Sequence, residues 1–293
     1  MKTGVCTTDF EKQPLQTANA LFQRIRAFGF ECVQFAFSSV TESDFTPTGQ
    51  LELPGTISRE ALAAVARASE KTGLPVCVIN ATFNMAHPDP AVRAEGLARL
   101  AVHLDAAKAL GCPILSLCTG SRNPDHLWRP SPDNGTREAW DAMFETVSRA
   151  AALAEKAGVT LAVESEASNV IDTPAKARRL MDEVGSDRLK MILDAANLFH
   201  CGEARPENAR RTLDEAFAAY GADIVAAHGK DIRAGDGIDF CGTGLGIVDF
   251  AYMAERLRGS GYRGDMFLHG IYDEDDMPRA LDFWKRASGA FTK

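Results

Sequence analysis

Eight short apolar runs, each followed by a helix-type pattern, recur along the whole chain, and this alternation constrains the fold more than any other feature. TGVCT at 3–7 reads as a strand. Leu15 to Phe28, apolar at Leu15, Ala18, Leu21, Phe22 and Ile25 and stopped by Gly29, reads as an amphipathic helix. ECVQFAF at 31–37, PVCVIN at 75–80, PILSLC at 113–118, VTLAVE at 159–164, LKMILD at 189–194, DIVAAH at 223–228 and DMFLH at 265–269 supply the other strands. Helices fill the gaps: from the cap Ser58 to Gly73, Pro88 to Leu110, Thr136 to Lys156, Thr173-Pro174 through Val184, Glu207 to Tyr220, Asp249 to Ser260, and Pro278 to Ala287. Strand-then-helix repetition implies a parallel sheet covered by helices. Eight units predict an α/β fold closed into a (β/α)8 TIM barrel, one domain over residues 1–293. An open doubly wound sheet would show a glycine-rich phosphate turn after its first strand, and TTDFEKQPLQ has none.

Four strands end alike. VTLAVE closes on Glu164, LKMILD on Asp194, DIVAAH on His228 and DMFLH on His269. An apolar strand seldom ends on an ionisable group without a partner, because desolvating an unpaired charge is costly. The carboxyl ends of barrel strands share one mouth. Four successive strands would therefore present, on one rim, four groups able to bind a cation or move a proton. Alternation agrees: Glu164 shares a face with Thr160 and Ala162, Asp194 with Ile192, and His228 with Ile224 and Ala226. Two carboxylates and two imidazoles suit a borderline divalent ion. One metal per chain is expected, Mn²⁺ first, with Co²⁺, Zn²⁺ or Mg²⁺ behind it.

Two stretches, Ser38 to Gly55 and Thr119 to Asn134, are too long for tight turns and read as excursions at the mouth. Asn84 and His87 after the third strand, and Arg122, His126 and Trp128 after the fourth, are candidates for a substrate pocket, which an aromatic face beside hydrogen-bonding groups can build. Glu166 points the same way as Glu164 if the strand continues. Lys230 and Asp231, just past His228, could reach hydroxyls or a phosphate. His103, inside a helix, and His200 read as structural.

Composition narrows the partners. The net charge is −8 and no run of Lys or Arg marks a basic face, which disfavours nucleic acid and anionic membranes. There is no apolar leader and no run of membrane-spanning length, so a cytoplasmic protein is expected. The cysteines number seven, and Cys6, Cys32, Cys77, Cys112 and Cys118 lie in or beside strand runs, where a thiol behaves as a small hydrophobe. No C-x-x-C pair suggests structural zinc.

VE at 163–164, LDAAN at 193–197, HGKD at 228–231 and the last apolar strand, with GFECVQF at 29–35 and NMAHPDPAVRAEGLARL at 84–100, resemble the xylose isomerase-like barrels. That superfamily includes sugar phosphate isomerases and epimerases and ketose 3-epimerases. The resemblance implies that Glu164, Asp194 and His228 bind one divalent metal. It also implies that Asn197 contacts substrate and that Glu164 exchanges a proton at a carbon beside a carbonyl. The chain departs at the fourth ligand: MFLHG puts His269 where the family has a second glutamate that also acts as acid or base. The implied activity is a metal-dependent isomerase or epimerase of a sugar or sugar phosphate. A keto-sugar lyase or dehydratase, and a sugar-binding barrel without catalysis, are the alternatives. An endonuclease IV-like enzyme would want more metal ligands and a positive face. Members of the family often form dimers or tetramers, so a homo-oligomer is a further expectation.

Overall fold

The structure is a computed structural model that describes residues 1–10, 17–41 and 53–289. The start of the first helix at Leu15 and most of the Ser38–Gly55 excursion lie outside the described residues. Eight strands form the wall: β1 (Thr3–Cys6), β2 (Cys32–Phe35), β3 (Val76–Asn80), β4 (Ile114–Cys118), β5 (Thr160–Glu164), β6 (Leu189–Asp194), β7 (Ile224–His228) and β8 (Asp265–Leu268). Every neighbouring pair is parallel, and β1 pairs with both β2 and β8, closing the barrel. Eight helices surround it: α1 (Ala18–Phe28), α2 (Arg59–Thr72), α3 (Pro90–Leu110), α4 (Arg137–Ala157), α5 (Pro174–Val184), α6 (Ala209–Tyr220), α7 (Phe250–Gly259) and α8 (Met277–Ser288).

Local chemistry sets the helix ends. The side chains of Thr17, Ser58, Asp89, Thr136, Thr173 and Asp249 each accept a hydrogen bond from a backbone N–H two or three residues on. Each satisfies a donor that the first helical turn leaves unpaired. Gly73, Gly111 and Gly158 stop α2, α3 and α4 at φ of 67°, 66° and 72°, a left-handed conformation that disfavours a side chain.

Two cores result. The larger lies between wall and helices. The smaller fills the barrel itself and comprises Cys6, Cys32, Val78, Ala162, Ile192, Ala226 and Phe267. Two register shifts interrupt the wall. Val33 pairs with Val76 and Gln34 with Val78, so Cys77 is an extra residue in β3. Met191 pairs with Ile224 and Ile192 with Ala226, so Val225 is an extra residue in β7. A residue inserted in this way re-aims its side chain. Cys77 and Val225 accordingly pack on the inner core. Ile224, expected inside with Ala226 and His228, instead belongs to the outer core. Past β7 the chain forms a two-stranded antiparallel ribbon, Asp231–Ile232 with Phe240–Cys241, whose strands are too short to leave a sequence signal.

Candidate metal and substrate site

The upper halves of β5, β6 and β7 carry Ala162, Ile192 and Ala226 in the inner core. Glu164, Asp194 and His228 stand two residues further along each strand, so alternation turns all three into the barrel mouth. Their ligand atoms lie within 4.8 Å of one another, and all three residues are buried. His228 Nδ1 is 3.3 Å from a Glu164 oxygen and 3.3 Å from an Asp194 oxygen. Its Nε2 is 2.9 Å from Gln34 Oε1, and Gln34 in turn donates to Asn80 Oδ1 at 2.7 Å. Gln34 thus fixes the ring so that Nδ1 faces the two carboxylates, which is how an outer partner orients a metal-binding histidine. Two carboxylate oxygens and an imidazole nitrogen at this spacing fit a divalent ion of borderline character.

Neighbouring groups hold the carboxylates. Asn197 donates to Glu164 Oε1, and Lys230 donates to Asn197 Oδ1, making a relay that ends on Glu164. Lys230 also lies 3.5 Å from Asp194, whose other oxygen accepts from the backbone N–H of Ala196 at 3.1 Å. Burial opposes charge on Lys230, but the Asp194, Glu166 and Glu164 carboxylates outweigh it and raise the ammonium above its ordinary value. Burial likewise opposes the His228 imidazolium, and the Glu164 and Asp194 carboxylates outweigh it, pushing the ring up to about 9. Burial pushes Glu166 up to about 7.

His269 follows β8 and belongs to the mouth without joining the three-ligand group. Its ring stands 5.4 Å from that of His228. Nδ1 lies 2.8 Å from Asp9 Oδ1, while Asp9 Oδ2 accepts the Ile271 N–H at 3.0 Å. Sequence reasoning missed both Asp9 and Gln34. The signal for Gln34 was its place two residues after Cys32 on a strand with one face inside. Asp9 follows the end of β1 by three residues, where nothing marks it off from an ordinary loop acid.

The mouth opens into a cavity of about 1580 Å³. Asn197, Glu166, Lys230 and Trp128 line it, and so does His200, whose Nε2 also lies 3.1 Å from Asp172 O. Five other expected pocket residues do not line it. Asp231 is fully buried, and its carboxylate accepts the backbone N–H groups of Ile232, Gly244, Gly246 and Val248, so it organises the ribbon loop. His87 is turned to Pro124 O at 3.3 Å and to the Asp89 N–H at 3.0 Å, where it braces the start of α3. Arg122 donates to Ala86 O at 3.0 Å and ties two loops together. Asn84 does the same work, exchanging hydrogen bonds with Ser121 at 2.9 and 3.0 Å. His126 accepts the Trp128 N–H at 3.2 Å. His103 is buried in α3, as read, with Nδ1 on Arg99 O at 3.0 Å, and burial pulls its imidazole down to about 4. Among the described residues no helix is long and apolar enough to cross a membrane.

A family model described as xylose isomerase-like TIM barrel matches residues 22–287. No curated protein matches the sequence significantly. Several solved structures share the fold. A D-tagatose 3-epimerase-like protein superposes with a TM-score of 0.73 at 16% identity, covering 98% of this chain and 97% of that one. A D-allulose 3-epimerase from Methylomonas sp., solved with D-allulose, gives 0.71 at 17% identity over 98% and 97%. A 3-keto-D-glucoside 4-epimerase from E. coli gives 0.69 at 17% identity over 98% and 99%.

Proposed function

The chain belongs to the xylose isomerase-like TIM barrel family, and we propose that it is a divalent-metal-dependent epimerase or isomerase of an unphosphorylated keto-sugar. The observation that carries this reading is the convergence of Glu164, Asp194 and His228 at the rim of the barrel, beside the mouth cavity. Structural relatives that act on ketoses or a keto-glucoside support the reaction class.

A divalent ion held by these three residues would polarise a substrate carbonyl and its neighbouring hydroxyl, stabilising the negative charge that develops there. The protein supplies the rest. Glu164 removes the proton from the carbon beside the carbonyl, its second oxygen kept in place by Asn197. His269 sits on β8's end, three strands round the wall from β5. With Nδ1 committed to Asp9, its Nε2 remains for the pocket. There it serves as the second acid or base, in the place where the family carries a glutamate. An imidazole whose Nδ1–H is held by a carboxylate presents Nε2 as its proton-transfer atom. Lys230 keeps a fixed positive charge beside Asp194, and Trp128 offers an apolar face to a sugar ring.

The lining favours a neutral sugar. Asp9, Glu166, Asp273, Glu274 and Asp275 face the cavity alongside Glu164, against the cations Arg24 and Lys230. Arg24 is paired with Glu274, and Lys230 with Asp194. A phosphate entering here would meet excess negative charge. The test is incubation of the Mn²⁺-loaded protein in D₂O with a panel of ketoses and 3-keto-glycosides. Deuterium at the carbon beside the carbonyl, absent in Glu164→Gln, is expected. An unsaturated product would instead make the protein a lyase. Metal-loaded protein that exchanges no proton on any of these sugars would overturn the reading.

A further inference from the structure

The opposite end of the barrel carries a second convergence that the activity does not use. Cys32 on β2, Cys77 on β3 and Asp265 on β8 bring two sulfurs and a carboxylate oxygen within 4.8 Å of one another. We propose that this cluster is a thiolate site for a soft or borderline divalent cation such as Zn²⁺, with Cys32, Cys77 and Asp265 as ligands and solvent in the fourth position.

Three features of the fold build it. The register shift between β2 and β3 makes Cys77 the extra residue and turns it onto the inner core; a regular β3 could not present both Cys77 and Val78 to the interior. Gly4 then clears the space. It lies on β1, between β2 and β8, and a Cβ there would stand 2.7 Å from Cys32 Sγ and 2.8 Å from the Phe267 ring. Asp265 is anchored by the Lys2 backbone N–H at 2.7 Å, and the Tyr262 hydroxyl donates to its carbonyl at 2.7 Å. Cys32 is fully buried, whereas Cys77 and Asp265 are half-buried, so a cation has a path from solvent.

The donor set fits. In a tetrahedral zinc site two sulfurs stand about 3.8 Å apart, and a sulfur and an oxygen about 3.5 Å, so a small closure of the observed group suffices. Binding would displace the two thiol protons to solvent. The ion would join β8 to β2 and β3 across the seam where the last strand meets the first.

The test titrates reduced, metal-free full-length protein with Cd²⁺ alone, without sugar, and follows the thiolate-to-metal charge-transfer band. One equivalent should saturate the band in the wild type and in Asp194→Ala, whose rim site is disabled. The band should vanish in Cys77→Ser and Cys32→Ser, and Asp265→Asn should weaken binding by at least the 10- to 100-fold that supporting groups alone cost. Mass mapping of alkylated wild-type protein needs no variant: the metal should protect Cys32 and Cys77 together. The proposal is overturned by the absence of a band, by a band that survives Cys77→Ser, by alkylation that Cd²⁺ does not slow, or by anaerobically purified protein in which the two thiols are joined as a disulfide. None of these outcomes bears on the rim site, whose donors include no sulfur.

Discussion

At the rim, Glu164, Asp194 and His228 converge because the upper halves of their strands run in regular register, Ile192 opposite Ala226 and Asp194 opposite His228. At the floor, Cys32, Cys77 and Asp265 converge because one strand slips by a residue. Both register shifts of the described wall fall below the rim. The two ends also differ in chemistry. Oxygen and nitrogen donors at the rim, braced by Gln34, Asn197 and Lys230, suit a harder ion than sulfur donors would. Sulfur donors at the floor, with a glycine for clearance, suit a softer ion. A barrel can therefore hold two cation environments in one interior, provided that its strand ends are independent.

That independence can be tested from either side. Glu164→Gln should lower proton exchange by about 10³-fold, the scale of a lost general base, while leaving Cd²⁺ binding at the floor unchanged. A floor titration that changes with it would show the two ends to be coupled. Gln34→Leu removes the acceptor of His228 Nε2 without touching a ligand. Rim affinity for Mn²⁺ should fall by up to about 100-fold in equilibrium dialysis, again with the floor unaffected.

From the other side, Gly4→Ala places a methyl 2.7 Å from both the carbonyl oxygen and the sulfur of Cys32. The backbone oxygen cannot swing away as a side chain could. The expected loss is about 2 kcal/mol, read from the urea midpoint at constant slope. Cd²⁺ binding should weaken, whereas Mn²⁺ binding at the rim should not. An unchanged midpoint would mean that β1 and β2 are looser at the floor than their packing indicates.

The rim was legible in the sequence because its signal is regular. Each of VTLAVE, LKMILD and DIVAAH ends on a ligand-type residue at the residue where alternation points inward, and eightfold repetition fixes which end of the strands is shared. Two helix caps were equally plain, since Ser58 and Thr173 announce themselves locally. What could not be read depends on tertiary register or on backbone partners. Cys77 looks like any apolar strand residue until β3 is laid against β2, and Ile224 was assigned to the interior by an alternation that the β7 slip breaks. Asp231 has the composition of a pocket acid, yet four backbone N–H groups claim it. Asp9 acquires its partner only because β1 and β8 close the barrel, bringing together residues 260 positions apart.

Asp9 is also where the contrast between the two ends is most finely drawn, because β1 serves both: Gly4 at the floor, and Asp9 beyond the rim. The Asp9 carboxylate accepts two hydrogen bonds, from His269 Nδ1–H and from the Ile271 N–H. Asn at this position has one acceptor oxygen and one donor amide, so it can satisfy only one of the two donors. If the oxygen keeps His269, the Ile271 N–H loses its partner and the chain after β8 loosens. If it keeps Ile271, the amide faces Nδ1, and His269 must move its proton to Nε2, the nitrogen that meets substrate. In either case the rim ligands are untouched. Asp9→Asn should therefore lower turnover by about tenfold, shift its pH profile and leave Mn²⁺ affinity as it was. A purely structural Asp9 would lower stability without moving the pH profile. A fall in Mn²⁺ affinity would instead place His269 among the ligands, and the rim would then be a four-residue site.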